Sequence, residues 1–311
     1  MPTETWFDDI PVIGNLSPEE AAAKLLEVGE EETAKSLTAP RKKVTTTPTD
    51  FGLREDLLPF LDKPWLYTQH IFGYVNPSNS EGTELLIEDA CEIEADTTLI
   101  NNPININLEQ MGVAKYPGGG THYILFDFQA QTQILDSRET LNINTTHRIK
   151  DGEVAIINQP IFAPLYVDAE GVDFRCLTVN VKNEEDERAL SFLESPVFRS
   201  GLAAAATMSQ LAIFPLSHLA IGLIKMVAKR SKNVPVQKFE MGLDVSDISE
   251  RPRLAEGFYI AVQIPENYKN AWDWEDWVYN PETGQIVEDG DRTELIPYNY
   301  IVFSVSRYQV K

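Results

Sequence analysis

The chain has 311 residues, 43% of them hydrophobic and 10% aromatic, which is enough to bury a sizeable core and too apolar for a disordered protein. Its formal net charge of -22 repels phosphate backbones and anionic lipid surfaces, so nucleic acid is not an expected partner. Two cysteines, Cys91 and Cys176, are too few for a disulfide scaffold and lack any Cys-x-x-Cys or paired-histidine spacing; both read as small, unpaired core residues.

The opening MPTETWFDDIPVIGNLS has no basic n-region and no apolar stretch, and cytoplasmic residence is the expectation. In LSPEEAAAKLLEVG, Ser17 is placed to cap a helix, Pro18 fits its first turn and Glu20 completes a capping box. TAPRKKVTTTPTDFG, residues 38–52, mixes Pro, Thr and charge without a period and reads as a linker. Residues 1–62 are therefore expected to form a helical arm and linker, dispensable for folding of the domain that follows.

From KPWLYTQHIFGYV onward the pattern becomes period two. LIEDACEIEAD predicts a half-buried strand with Ile87, Cys91 and Ile93 opposite Glu88, Glu92 and Glu94. THYILFDFQAQTQ sets Ile124, Phe126 and Phe128 against Tyr123, Asp127 and Gln129. Asp151-Gly152 predicts a two-residue hairpin turn between two β-prone runs. VDFRCLTVNV, FYIAVQIP, WVYNPETGQIV and NYIVFSVSRY continue the series. Such spacing predicts a mainly β domain over 63–311, an antiparallel β-sandwich of C2-like or immunoglobulin-like architecture, although no residue motif marks either family. Helix formers interrupt it at about 184–231, where Pro215 divides an inserted α-helical hairpin.

Within that insertion Ser200–Ile224 is an uncharged run, and a bilayer span needs about 20 apolar residues. The run contains Pro215, Ser217 and His218, and His218, Gly222, Lys225 and Lys229 form a polar stripe opposite Leu216, Leu219 and Leu223. A hairpin packed on the sheet fits this better than a helix in lipid. The alternative is a membrane-active effector that releases the hairpin, with Leu216, Leu219, Leu223, Lys225, Lys229 and Arg230 as its membrane contacts.

Other motifs are weaker. YPGGGTHY, residues 116–123, lacks the Gly-Lys-Ser/Thr ending of a phosphate loop and precedes a strand. The acidic stretches 273–277 and 288–294 do not follow an EF-hand pattern, so no cofactor is expected and calcium is a minor alternative. The four histidines are scattered, no Gly-x-Ser-x-Gly elbow occurs, and the Asn-x-Ser/Thr triplets at Asn15 and Asn144 are read as chance. In NAWDWEDWVYNPE, however, Trp272, Trp274, Trp277 and Tyr279 gather amphipathic rings of the kind that dominate binding hot spots. The leading expectation is a non-enzymatic protein-interaction module whose partner has a basic surface. A hydrolase or glycan-processing enzyme is a further alternative without a located site.

Overall fold

The computed structural model describes residues 9–39, 63–79, 84–134, 137–194, 223–246 and 250–309. The N-terminal residues form helix α1 (Pro18–Glu27) and helix α2 (Glu31–Thr38). The capping box is present: Ser17 Oγ accepts from Glu20 N at 3.3 Å, and Glu20 Oε2 accepts from Ser17 N at 3.1 Å. The sequence put these helices in a separate arm. Instead Ala21, Ala22 and Leu25 of α1 and Ala34 of α2 are buried in the main hydrophobic core, because their spacing gives each helix an apolar face that packs inward. The expected boundary at residue 62 falls in 40–62, outside the described residues.

The strands are β1 (Gln69–Val75), β2 (Leu85–Leu86), β3 (Glu88–Asp89), β4 (Pro103–Val113), β5 (Thr121–Ile134), β6 (Ser137–Lys150) and β7 (Glu153–Tyr166). They continue with β8 (Gly171–Val181), β9 (Val234–Asp244), β10 (Gly257–Ile264), β11 (Trp277–Tyr279), β12 (Ile286–Glu288), β13 (Asp291–Leu295) and β14 (Tyr300–Arg307). All pair antiparallel, in three sheets ordered β3-β1-β10-β14-β4-β7, β6-β5-β8-β9 and β13-β12-β11-β2.

Period two explains the stacking. Alternate residues of β5 and β8 (Phe126, Phe128, Phe174) meet alternate residues of β10 and β14 (Tyr259, Phe303) in the main core, a sandwich-like arrangement of the two larger sheets. Phe303 lies edge-on to Phe174 at 5.1 Å and to Phe128 at 6.0 Å. The opposite face of β10 and β14 (Ile260, Val262, Val302) packs on Tyr279 and Ile286 of the small sheet. The opposite face of β5 and β8 (Tyr123, Leu125, Leu177, Val179) packs on helix α3 (Glu184–Leu190) and on the helical residues 223–229, here α4.

Two local expectations need correction. The strand expected over 86–96 is broken: β2 and β3 are two residues each, and Asp89 Oδ1 then accepts from Cys91 N at 2.8 Å to turn the chain. A carboxylate that hydrogen-bonds its own backbone two residues on competes with a ladder, and here it wins. Cys91 is consequently half-buried, whereas Cys176 is fully buried; both are free thiols.

The second correction concerns Asp151-Gly152. The turn forms, with Gly152 at φ +75°, but its strands go to different sheets, β6 beside β5 and β7 beside β4. Gly152 N donates to Val113 O of one sheet at 2.7 Å, and Asp151 N reaches Gly120 O beside the other at 3.4 Å. The dipeptide is a corner between the layers, not a hairpin tip.

Candidate functional site

The segment joining β10 to β11 folds over the outer face of the largest sheet and carries the tryptophans. Trp274 is buried: its ring occupies the space over Gly73, where an added Cβ would stand 2.9 Å from Trp274 Cη2. Tyr279 is also buried, and its hydroxyl donates to Gln110 Oε1. Two of the four aromatic residues singled out in the sequence are therefore core. Trp272 and Trp277 are half-buried and stack at 5.8 Å with an interplanar angle of 13°. Trp272 also meets Trp274 edge-on at 5.3 Å and Tyr298 at 5.6 Å.

Tyr298, from the loop between β13 and β14, was not foreseen; nothing local in PYNY distinguishes it from another strand-end tyrosine. Burial and the neighbouring Tyr268 raise its phenol pKa, which keeps the hydroxyl neutral at physiological pH. Trp272 Nε1 is enclosed without a hydrogen-bond partner. Around these rings Asp273, Glu275 and Asp276 are exposed, and Asp273 Oδ1 accepts from Glu275 N at 2.9 Å. The site is thus an aromatic surface with an acidic rim.

The basic end of the insertion is engaged by the protein itself. Arg230 Nη1 lies 2.8 Å from Asp186 Oδ1, and Asp186, 2% exposed, also accepts from Asn233 Nδ2 at 2.6 Å. A carboxylate this enclosed requires such a partner. Lys225 Nζ reaches Asp9 Oδ2 at 3.4 Å, Lys238 Nζ donates to Ile10 O at 3.2 Å, and Lys24 Nζ donates to Arg230 O at 2.7 Å. Leu223 packs half-buried against the helix-facing core and Lys229 is exposed; Leu216 and Leu219 lie outside the described residues. Among the described residues no helix is long and apolar enough to cross a membrane.

At the corner between the sheets, His122 Nε2 pairs with Asp151 Oδ1 at 2.8 Å, and the same oxygen accepts from Tyr116 N at 2.9 Å. Burial acts to raise the Asp151 pKa, but these hydrogen bonds overcome it and hold the carboxyl below its usual range. Gly118, Gly119 and Gly120 all have positive φ, and the loop is fixed by Glu30 Oε1 accepting from Gly118 N at 3.0 Å and Lys182 Nζ donating to Gly119 O at 3.0 Å. The glycine loop is a structural corner: the Tyr116 and Gly118 N–H groups are taken by the carboxylates of Asp151 and Glu30, which would repel a phosphate.

Asp289 N donates to Asp276 O at 2.7 Å, so the two acidic stretches considered for calcium are neighbours. Among the described residues no group of three or more carboxylate, thiol or imidazole side chains is placed to share a metal. No protein-family model matches this chain, and neither a curated protein nor a solved structure matches it.

Proposed function

We propose that this chain is a non-enzymatic protein-interaction module whose contact surface is the Trp272–Trp277–Tyr298 cluster, and that its partner presents a basic segment. The observation that carries this reading is the half-exposed indole stack beside Asp273, Glu275 and Asp276. Indole faces attract lysine and arginine side chains, the carboxylates supply a complementary field, and rigid rings lose little entropy on binding. A cytoplasmic location and a C2-like or immunoglobulin-like class of sandwich belong to the same proposal. The rival, a hairpin released into a bilayer, relied on a free basic end, and Lys225 and Arg230 are already held by Asp9 and Asp186.

A displayed library of short peptides tests the reading. Selection should enrich Lys- and Arg-containing sequences, and Trp272→Ala should weaken the selected peptide by roughly 30-fold, the loss of about 2 kcal/mol typical of a tryptophan hot spot. Lys229→Ala, distant in sequence and exposed, is the control. Selected peptides that ignore Trp272→Ala, or that carry no basic residues, would remove the proposal.

A further inference from the structure

The tryptophan surface has an acidic neighbour that its own loop does not supply. In the small sheet Trp277 of β11 stands directly opposite Glu288 of β12, followed by Val278 opposite Val287 and Tyr279 opposite Ile286. Residues two apart on a strand share a face, so Trp277 and Glu288 lie on the same side as the buried Tyr279 and Ile286, at the end of the ladder. Opposed Cβ atoms on one face are about 5 Å apart, which sets the carboxylate beside the indole. The two segments are tied again one residue further on, where Asp289 N donates to Asp276 O at 2.7 Å.

Glu288 is half-buried, and among the described residues it has no hydrogen-bond or ion-pair partner. Other half-buried carboxylates of this chain are engaged: Asp96 and Glu256 each meet the Arg307 guanidinium at 2.7 Å. Trp277 is half-buried as well, and Trp272 stacks on it at 5.8 Å and 13°, which fixes the plane of the ring. An indole with a carboxylate at its border suits a cation that lies on the ring and also presents N–H groups sideways. A guanidinium meets both conditions, because its donor fork is coplanar with the part that stacks. A lysine ammonium is a strongly hydrated point charge, and it must shed water to touch the ring without offering two parallel donors.

We infer that the side chain this surface takes up is arginine in preference to lysine, and that Glu288 is the residue that makes the choice. The inference rests on the interaction reading above and adds to it the identity of the anchor. Trp277 supplies the stacking face, Glu288 accepts from the guanidinium edge, and Asp273, Glu275 and Asp276 contribute the general negative field.

The test is titration of the full chain, followed by tryptophan fluorescence at constant ionic strength, with two blocked glycine heptapeptides that carry one central arginine or one central lysine. The arginine peptide should bind about tenfold more tightly, the difference expected of an added charge-assisted hydrogen bond. In Glu288→Gln, which keeps the shape and removes the charge, the two peptides should bind alike. In Glu288→Asp, which withdraws the charge by one methylene, the preference should fall between, and this variant serves should Glu288→Gln not fold. Equal binding of both peptides to the parent chain, or a preference that survives both variants, would overturn the inference and leave a surface that accepts either basic side chain. So would an equal weakening of both peptides by Glu288→Gln, the mark of a field without a specific contact. Binding of neither peptide, or binding that Trp272→Ala does not weaken, would remove the interaction reading itself and the inference with it.

Discussion

Leu25 and Leu26 are adjacent on α1 and should respond to truncation in opposite ways. Leu25 is fully buried in the main core, whereas Leu26 is 55% exposed. Leu25→Ala removes three carbons, worth about 0.8 kcal/mol each in transfer, or about 2.4 kcal/mol in sum. The cavity left behind adds to this, and α1 is short enough to close part of it, so the expected loss is about 3 kcal/mol. Leu26→Ala removes a largely exposed side chain and should stay within about 0.5 kcal/mol of the parent. Urea denaturation followed by intrinsic fluorescence reads both, and an unchanged slope with a lower midpoint identifies a loss of native stability. By the same reasoning, deleting residues 1–50 should abolish cooperative unfolding. Leu25→Ala as mild as Leu26→Ala would show that α1 is an appendage after all.

Acid should weaken the protein through His70. Burial lowers its pKa to about 4 against a slight opposing effect of Gln237, and its Nε2 is enclosed without a partner. The folded pKa lies below the unfolded one, so the unfolded chain binds a proton first and stability falls as pH drops from about 6.5 towards 4. His70→Gln should flatten that part of the pH–stability curve, and an unchanged slope would rule His70 out as its source. Thiol labelling at pH 8 should be slow at both cysteines: burial pushes the Cys91 thiol up to about 12, with Asp89 adding to it, and complete burial likewise raises Cys176 well above the usual thiol range. Denaturant should release both, and rapid native labelling of Cys176 would contradict its complete burial.

Much of the architecture is legible in local patterns, because each follows from chemistry within a few residues. The Ser17 cap and Glu20 fix the start of α1, and alternation assigns Ile124, Phe126 and Phe128 to one face of β5. Asn280 Oδ1 accepts from Glu282 N and Thr283 N, and Gly284 takes φ +70°, so the NPETG segment carries its turn in its own residues. Where the decision lies with a distant partner, the local pattern misleads. Asp151-Gly152 has hairpin chemistry, but β7 finds its ladder with β4, about forty residues upstream, and the turn becomes a corner. Trp274 looks like a surface ring until Gly73 is seen to leave room for it. Tyr298 joins the site only because two loops converge.

The polar residues of β5 are the sharpest instance. Tyr123, Asp127 and Gln129 alternate with apolar neighbours, and on a two-layer reading the side they share faces solvent. Alternation establishes which side chains lie together; it does not establish what covers them. Here the sheet has a layer on each side, helices on one and the largest sheet on the other, so a pattern that normally reports one wet face occurs in a strand with two dry ones. Where the covered positions are Tyr123 and Leu125 the outcome is an ordinary core. Where they are Asp127 and Gln129, opposite Asn144 and Asn142, folding encloses oxygens that would otherwise be hydrated, at a cost of roughly 1–3 kcal/mol for each one left unsatisfied. Several such terms together rival the whole stability of a domain. Part of that cost is offset within the strand pair, where Asn144 Nδ2 donates to Asp127 Oδ1 while burial pushes the carboxyl well above its usual range, towards the neutral form that a dry face can hold.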